Sequence, residues 1–144
     1  MLQLGIKEFK ASFFDSGEIQ KRVNAATRKT LSKIGAFIRT RAKTSIRKRK
    51  KISEPGQPPS SHEGSLRRLI FFGYDKTTQS VVVGPAAFRE GTAPRLLEFG
   101  GSRQTTAKSG AAKVLVYRPR PFMRPAGEAE AVRGRLMLKG MVNG

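Results

Sequence analysis

Few residues in this chain have the types and spacing that catalysis needs. The single histidine, His62, stands in a proline-rich run. The sequence has no cysteine and no second histidine to complete a metal site or a nucleophile–base pair. His62 therefore reads as a solvated loop residue. The ten acids are scattered, with no D-x-D or E-x-x-H grouping. Glu128 and Glu130 fall in what reads as the first turn of a final helix. There they suit the positive end of the helix dipole, but residues two apart do not face each other, so they form no acid–base pair. Lys108-Ser109-Gly110-Ala111-Ala112-Lys113 has the residue types of a phosphate loop without the G-x-x-x-x-G-K-[ST] spacing. The pattern argues against an enzyme and implies no cofactor. A ribonuclease-like reading, drawn from small size and basic charge, has only His62 to rest on.

Two other segments attract notice for a different reason. They are A-P-R-L-L-E-F-G-G-S-R, Ala93 to Arg103, and R-P-R-P-F-M-R-P-A, Arg118 to Ala126. Each mixes bulky apolar groups and arginines with prolines that fix φ or glycines that free it. Neither looks catalytic.

The strongest chemical signal is charge. Lys and Arg number 29 against ten acids, a net charge of +19. Such a field favours polyanions or acidic protein surfaces. It is also uneven: between Ser16 and Lys51 there are 13 basic residues and one acid, Glu18. Arg28, Lys29, Arg39, Arg41, Lys43 and the run Arg47, Lys48, Arg49, Lys50, Lys51 are the candidate contacts. They suit either nucleic-acid phosphates or an acidic partner. No zinc finger, basic zipper or RNA-recognition aromatic pair accompanies them, so sequence-specific readout has no support.

These residues need elements to position them. Asp15 to Glu18 reads as a capping box opening a helix. Ile19, Val23, Ala26, Thr30, Ile34, Phe37, Ile38, Ala42 and Ile46 then recur at three- and four-residue steps, one apolar stripe on about eight turns. Lys21, Arg22, Arg28, Lys29, Lys33, Arg39, Arg41 and Lys43 occupy the other faces. Residues 52–64 hold three prolines and two glycines, which forbid regular structure and predict a mobile loop. Ser65 to Tyr74 reads as a helical turn leading into a strand. After a turn at Asp75 to Gln79, that strand pairs with Ser80 to Gly84. Ala93 to Phe99 reads as a short helix stopped by Gly100-Gly101. A polar loop is expected at 102–112, then a strand at Lys113 to Tyr117. Pro119, Pro121 and Pro125 hold Arg118 to Arg124 extended, and Pro125 suits N1 of a last helix reaching about Lys139.

Leu2, Leu4 and Ile6 alternate with Gln3, Gly5 and Lys7, a short strand rather than a signal peptide. No apolar run approaches the roughly 18 residues that span a bilayer, so a soluble, cytosolically made protein is expected. The length, 144 residues, suits one domain. The order of elements predicts an α+β fold: a long N-terminal amphipathic helix packed on a small antiparallel sheet of three to four strands, with a C-terminal helix.

Three segments, in order, resemble one family. Pro55-Gly56-Gln57-Pro58-Pro59 with Glu63-Gly64-Ser65-Leu66-Arg67-Arg68-Leu69-Ile70 resembles P-G-x-P-P…T-G-x-L-R-x-S-I. Val82-Val83-Gly84-Pro85 with Ala93 to Gly101 resembles V-G-P…Y-A-x-x-L-E-F-G-T. Arg120-Pro121-Phe122-Met123-Arg124-Pro125-Ala126 resembles A-R-P-F-L-R-P-A. Together they are similar to the neck, tail-completion and head–tail joining proteins of tailed phages, often called minor tail proteins, over roughly residues 16–140. The chain departs from the pattern at Glu63, Thr92 and Gly101, and the 102–112 loop is longer and more basic than the family's.

The resemblance implies a virion protein without catalytic activity, assembled in the host cytoplasm. It implies a ring, of six subunits, in the neck between the head connector and the tail tube. Its partners would be copies of itself, a head-closure or connector protein, a tail-tube or terminator protein, and genomic DNA in the channel, with no membrane. Glu98 and Phe99 would hold a helix end against the sheet. Pro121 and Pro125 would stiffen an arm anchored by Phe122, a residue worth about 1.5–3 kcal/mol if fully buried, in its own subunit or in a neighbour. Arg120 and Arg124 would pair with acids. The basic face would meet acidic neighbours in preference to DNA, because tight phosphate contact impedes ejection. A non-specific DNA-binding protein acting through the basic helix is the alternative.

Overall fold

A computed structural model describes residues 16–86 and 93–143. The expected strand at Leu2 to Ile6 and the Asp15 cap lie outside the described residues. The chain runs α1 (Ser16–Ser45), β1 (Arg47–Lys48), β2 (Ser60–Ser61), α2 (Ser65–Arg68), β3 (Ile70–Asp75), β4 (Ser80–Pro85), α3 (Ala93–Phe99), β5 (Gly101–Thr106), β6 (Ala112–Tyr117) and α4 (Met123–Asn143). The fold is α+β, with long helices near both ends and short antiparallel pairs between them.

α1 is the central element. Its stripe is buried where the four-residue spacing places it, at Ile34, Ala42 and Ile46, with Ile38 packed alongside. One side of α1 meets α4 and another meets the β3–β4 hairpin. Both approaches are close at a glycine. A Cβ on Gly35 would stand 2.5 Å from Val81 Cγ2 and 3.0 Å from the Phe72 ring, and one on Gly134 of α4 would reach 3.4 Å from Ile34. The last turn of α1 satisfies its own carbonyls: the Thr44 hydroxyl donates to Arg41 O and the Ser45 hydroxyl to Ala42 O.

β3 and β4 pair in antiparallel register from Ile70↔Pro85 to Asp75↔Ser80. Side chains alternate across a strand, so Ile70, Phe72 and Tyr74 share the face toward α1. Phe71 and Val82 stand on the other face, exposed. Asp75 builds the turn, its Oδ1 accepting the Thr77 amide at 2.8 Å.

β5 and β6 form a second antiparallel pair, from Gly101↔Tyr117 to Thr106↔Ala112. Among the described residues the two hairpins share no ladder; the antiparallel strands number four but stand in pairs. This also corrects the polar loop expected at 102–112. Ser102 to Thr106 is strand, and only Ala107 to Ala111 is turn, with Gly110 in the left-handed region at φ 81°. Nothing apolar alternates in β5, so its sequence carried no strand periodicity. Its register is set by Val114, Leu115 and Val116 across the ladder.

The Pro/Gly-rich loop is tethered. β1 and β2 form a two-residue parallel bridge, Arg47↔Ser60 and Lys48↔Ser61. The Gly56 amide donates to Pro119 O at 2.9 Å, and Ser53, Pro59 and Ser61 are buried.

Candidate functional site

The two segments rich in proline, glycine and arginine meet. α3 ends at Phe99, where the Gly100 amide donates to Leu96 O at 2.8 Å. Gly100 then takes φ 74° and Gly101 φ 135°. A Cβ on Gly100 would lie 3.0 Å from Pro119 Cδ and 3.1 Å from Tyr117 O. Glycine is required here for conformation and for space alike, at the helix stop expected at Gly100-Gly101.

That turn aims Glu98 at the start of α4. Its Oε2 accepts the Phe122 and Met123 amides at 2.9 and 3.0 Å, and its Oε1 accepts the Arg124 amide at 2.8 Å. The next residue, Pro125, has no amide hydrogen to satisfy. One carboxylate therefore closes the whole set of orphan donors at this helix end and sits at its positive pole. It also explains why α4 begins at Met123, two residues before the expected Pro125. Glu128 and Glu130 consequently lie beyond the first turn. Glu128 pairs with Arg124 four residues earlier (2.9 Å), and Glu130, buried, pairs with Arg41 (2.6 Å).

Phe122 is 1% exposed and belongs to its own chain's core, with Ala42, Ile46, Leu66, Ile70 and Ala126. Val83, Leu97 and Met123 pack against that cluster. Residues from all three quoted segments thus converge on one cluster closed by α1. Among the described residues Arg120 pairs with no acid. Its Nε donates to Ser53 O at 2.9 Å and its backbone amide to Leu97 O, so it ties the 52–59 loop and α3 to the chain before α4. Pro121, half-buried, precedes the core phenylalanine.

Phe99 departs from expectation. It does not hold the helix end against a sheet but is 71% exposed. It borders a groove of about 620 Å³ between α1, β4, α3 and α4, whose walls include Ile38, Val83, Pro94, Phe122 and Met123. Arg95, Glu98 and Arg124 supply polar groups there. Chain sequence gave no sign of Phe99's exposure: an E-F-G triplet looks the same whether its Phe is buried or not.

The basic candidates separate into two groups. Arg39, Arg41 and Arg28 serve the fold: Arg39 Nε donates to Ile70 O at 2.8 Å, Arg41 pairs with Glu130, and the Arg28 guanidinium lies 5.8 Å from the Tyr74 ring centroid. Lys29 is exposed and Lys43 half-buried. Arg47, Lys48, Arg49, Lys50 and Lys51 are all exposed. Arg47, Arg49 and Lys51 line a cleft of about 490 Å³ with Thr44, Ser45, Ser53 and the acid Glu54. Arg49 also donates to the Ser60 hydroxyl at 2.9 Å.

Among the described residues no group of His, Cys, Asp and Glu could hold a metal ion, and no helix is long and apolar enough to cross a membrane. No protein-family model matches the chain, and no curated protein or solved structure is significantly similar to it.

Proposed function

We propose that this chain is a structural virion protein of a tailed phage, a neck subunit that completes the tail and joins it to the head connector as a ring of copies, without catalytic activity. The observation that carries the reading is the Glu98 carboxylate on the Phe122, Met123 and Arg124 amides. It makes a single unit of two of the three segments, E-F-G-G and R-P-F-M-R-P-A, whose ordered set carries the family resemblance. The same unit leaves Phe99 exposed beside an apolar groove, a surface suited to burial against a neighbouring subunit. The proposed partners are further copies, a head-closure or connector protein, and a tail-tube or terminator protein. Antibody labelling of purified virions tests this. Label at the head–tail junction is expected, and absence of the chain from virions overturns it.

A second reading, non-specific DNA binding, has its own observation in the Arg47, Arg49 and Lys51 cleft. It requires affinity for duplex DNA at low salt that falls steeply as salt rises. No binding at low salt removes it.

A further inference from the structure

We infer that the β5–β6 hairpin is a docking arm that takes up an acidic strand from a different protein by extending its ladder. The inference stands on the hairpin itself and holds whether or not the chain builds a ring. Neither strand packs extensively on any other described element; their contacts are mainly with each other. An isolated two-stranded hairpin is marginal in water, so this one lacks the covering layer that strands ordinarily have. Cross-strand partners set its faces. Arg103↔Leu115 and Gly101↔Tyr117 lie on one face, where Leu115 and Tyr117 are half-buried. Ser102↔Val116 and Gln104↔Val114 lie on the other, where Val116 is 78% and Val114 57% exposed. Among the described residues both outer edges lack a third strand. Unpaired edges beside exposed β-branched side chains are a template for strand addition. Lys113 is a charge of the kind that deters indiscriminate pairing, and it selects for an acidic strand.

Charge identifies the occupant. From Gly101 to Arg118 the chain carries Arg103, Lys108, Lys113 and Arg118 and no acid. A second copy is a poor match. Each copy bears +19, so two copies repel each other. Nucleic acid would pair with Lys113 but has no use for Val114 and Val116. A protein strand alternating apolar and acidic residues satisfies both features.

The test uses the full-length chain and backbone amide exchange. The probes are a short synthetic peptide of alternating valine and glutamate, its valine–lysine counterpart, and a DNA duplex. The acidic peptide is expected to bind and to slow exchange within 101–117. The lysine peptide and the duplex are expected to leave that segment unchanged. Val114→Thr with Val116→Thr preserves strand propensity while removing apolar contact and should weaken the peptide's Kd about tenfold. Lys113→Glu should weaken the acidic peptide and admit the basic one. The proposal is overturned by any of three results: no binding of the acidic peptide, or binding that adds no protection at 101–117; added protection by the duplex equal to or greater than the peptide's; or the same added protection on self-association of the chain.

Discussion

Glu98 is the residue on which the account turns most. Three amides with no other helical partner converge on its carboxylate, so removing it exposes the start of α4 and uncouples α3 from it. Glu98→Ala should cost about 1–3 kcal/mol in denaturant unfolding. Glu98→Gln should recover part of that, since one acceptor oxygen remains. Phe122 and Phe99 respond in opposite ways. Phe122 lies in the core, and Phe122→Ala should cost about 3–5 kcal/mol, so failure of assembly in that variant would report lost folding. Phe99 is exposed. Phe99→Ser should leave the melting temperature nearly unchanged while reducing the yield of intact virions. Normal yield would show that the exposed ring is no interface.

At the scale of elements, α1 approaches the β3–β4 hairpin closely across Gly35. In an isolated helix a larger residue at this position would be favoured over glycine. Here a Cβ would stand 2.5 Å from Val81, and Gly35→Val should lower stability by about 1–3 kcal/mol through overpacking, read as a fall in Tm. The β3–β4 turn contributes one pH dependence. The Thr78 side chain first, then the Thr77 and Thr78 amides, hold the Asp75 carboxyl below the ordinary aspartate range. A group whose folded pKa is depressed contributes stability above its unfolded value and loses it as pH falls through the folded one. An NMR titration should therefore find the Asp75 midpoint low. Exchange of the Thr77 amide should rise on acidification through that midpoint, after allowance for the intrinsic pH dependence of exchange. An ordinary midpoint would remove the turn's role.

Much of this architecture was legible in the chain itself. The stripe through Ile34, Ile38, Ala42 and Ile46 announced α1, and the Val-rich run after Asp75 announced the first hairpin. What escaped detection depended on partners distant in sequence. α4 starts early because its cap, Glu98, comes from another helix. β5 is polar on both faces and is a strand only because β6 pairs with it. Arg39 and Arg41 looked like outer charges, yet their acceptors are the Ile70 carbonyl and Glu130. Helical position alone cannot show where a long side chain bends.

For the whole molecule, the dominant fact is a charge of +19 that the fold only partly absorbs. Like copies brought together repel unless acidic neighbours or nucleic acid intervene. In the proposed neck ring that counter-charge would come from acidic proteins above or below it or from DNA in the channel, met by the exposed Arg47–Lys51 run and the hairpin. The central claim is the joining role, and the most direct measurement is deletion of the gene in the phage that encodes it, with the lysate viewed by negative-stain microscopy. The account predicts DNA-filled heads beside separate tails, restored to whole virions by the gene supplied in trans. Intact virions at normal yield from the deletion would contradict it.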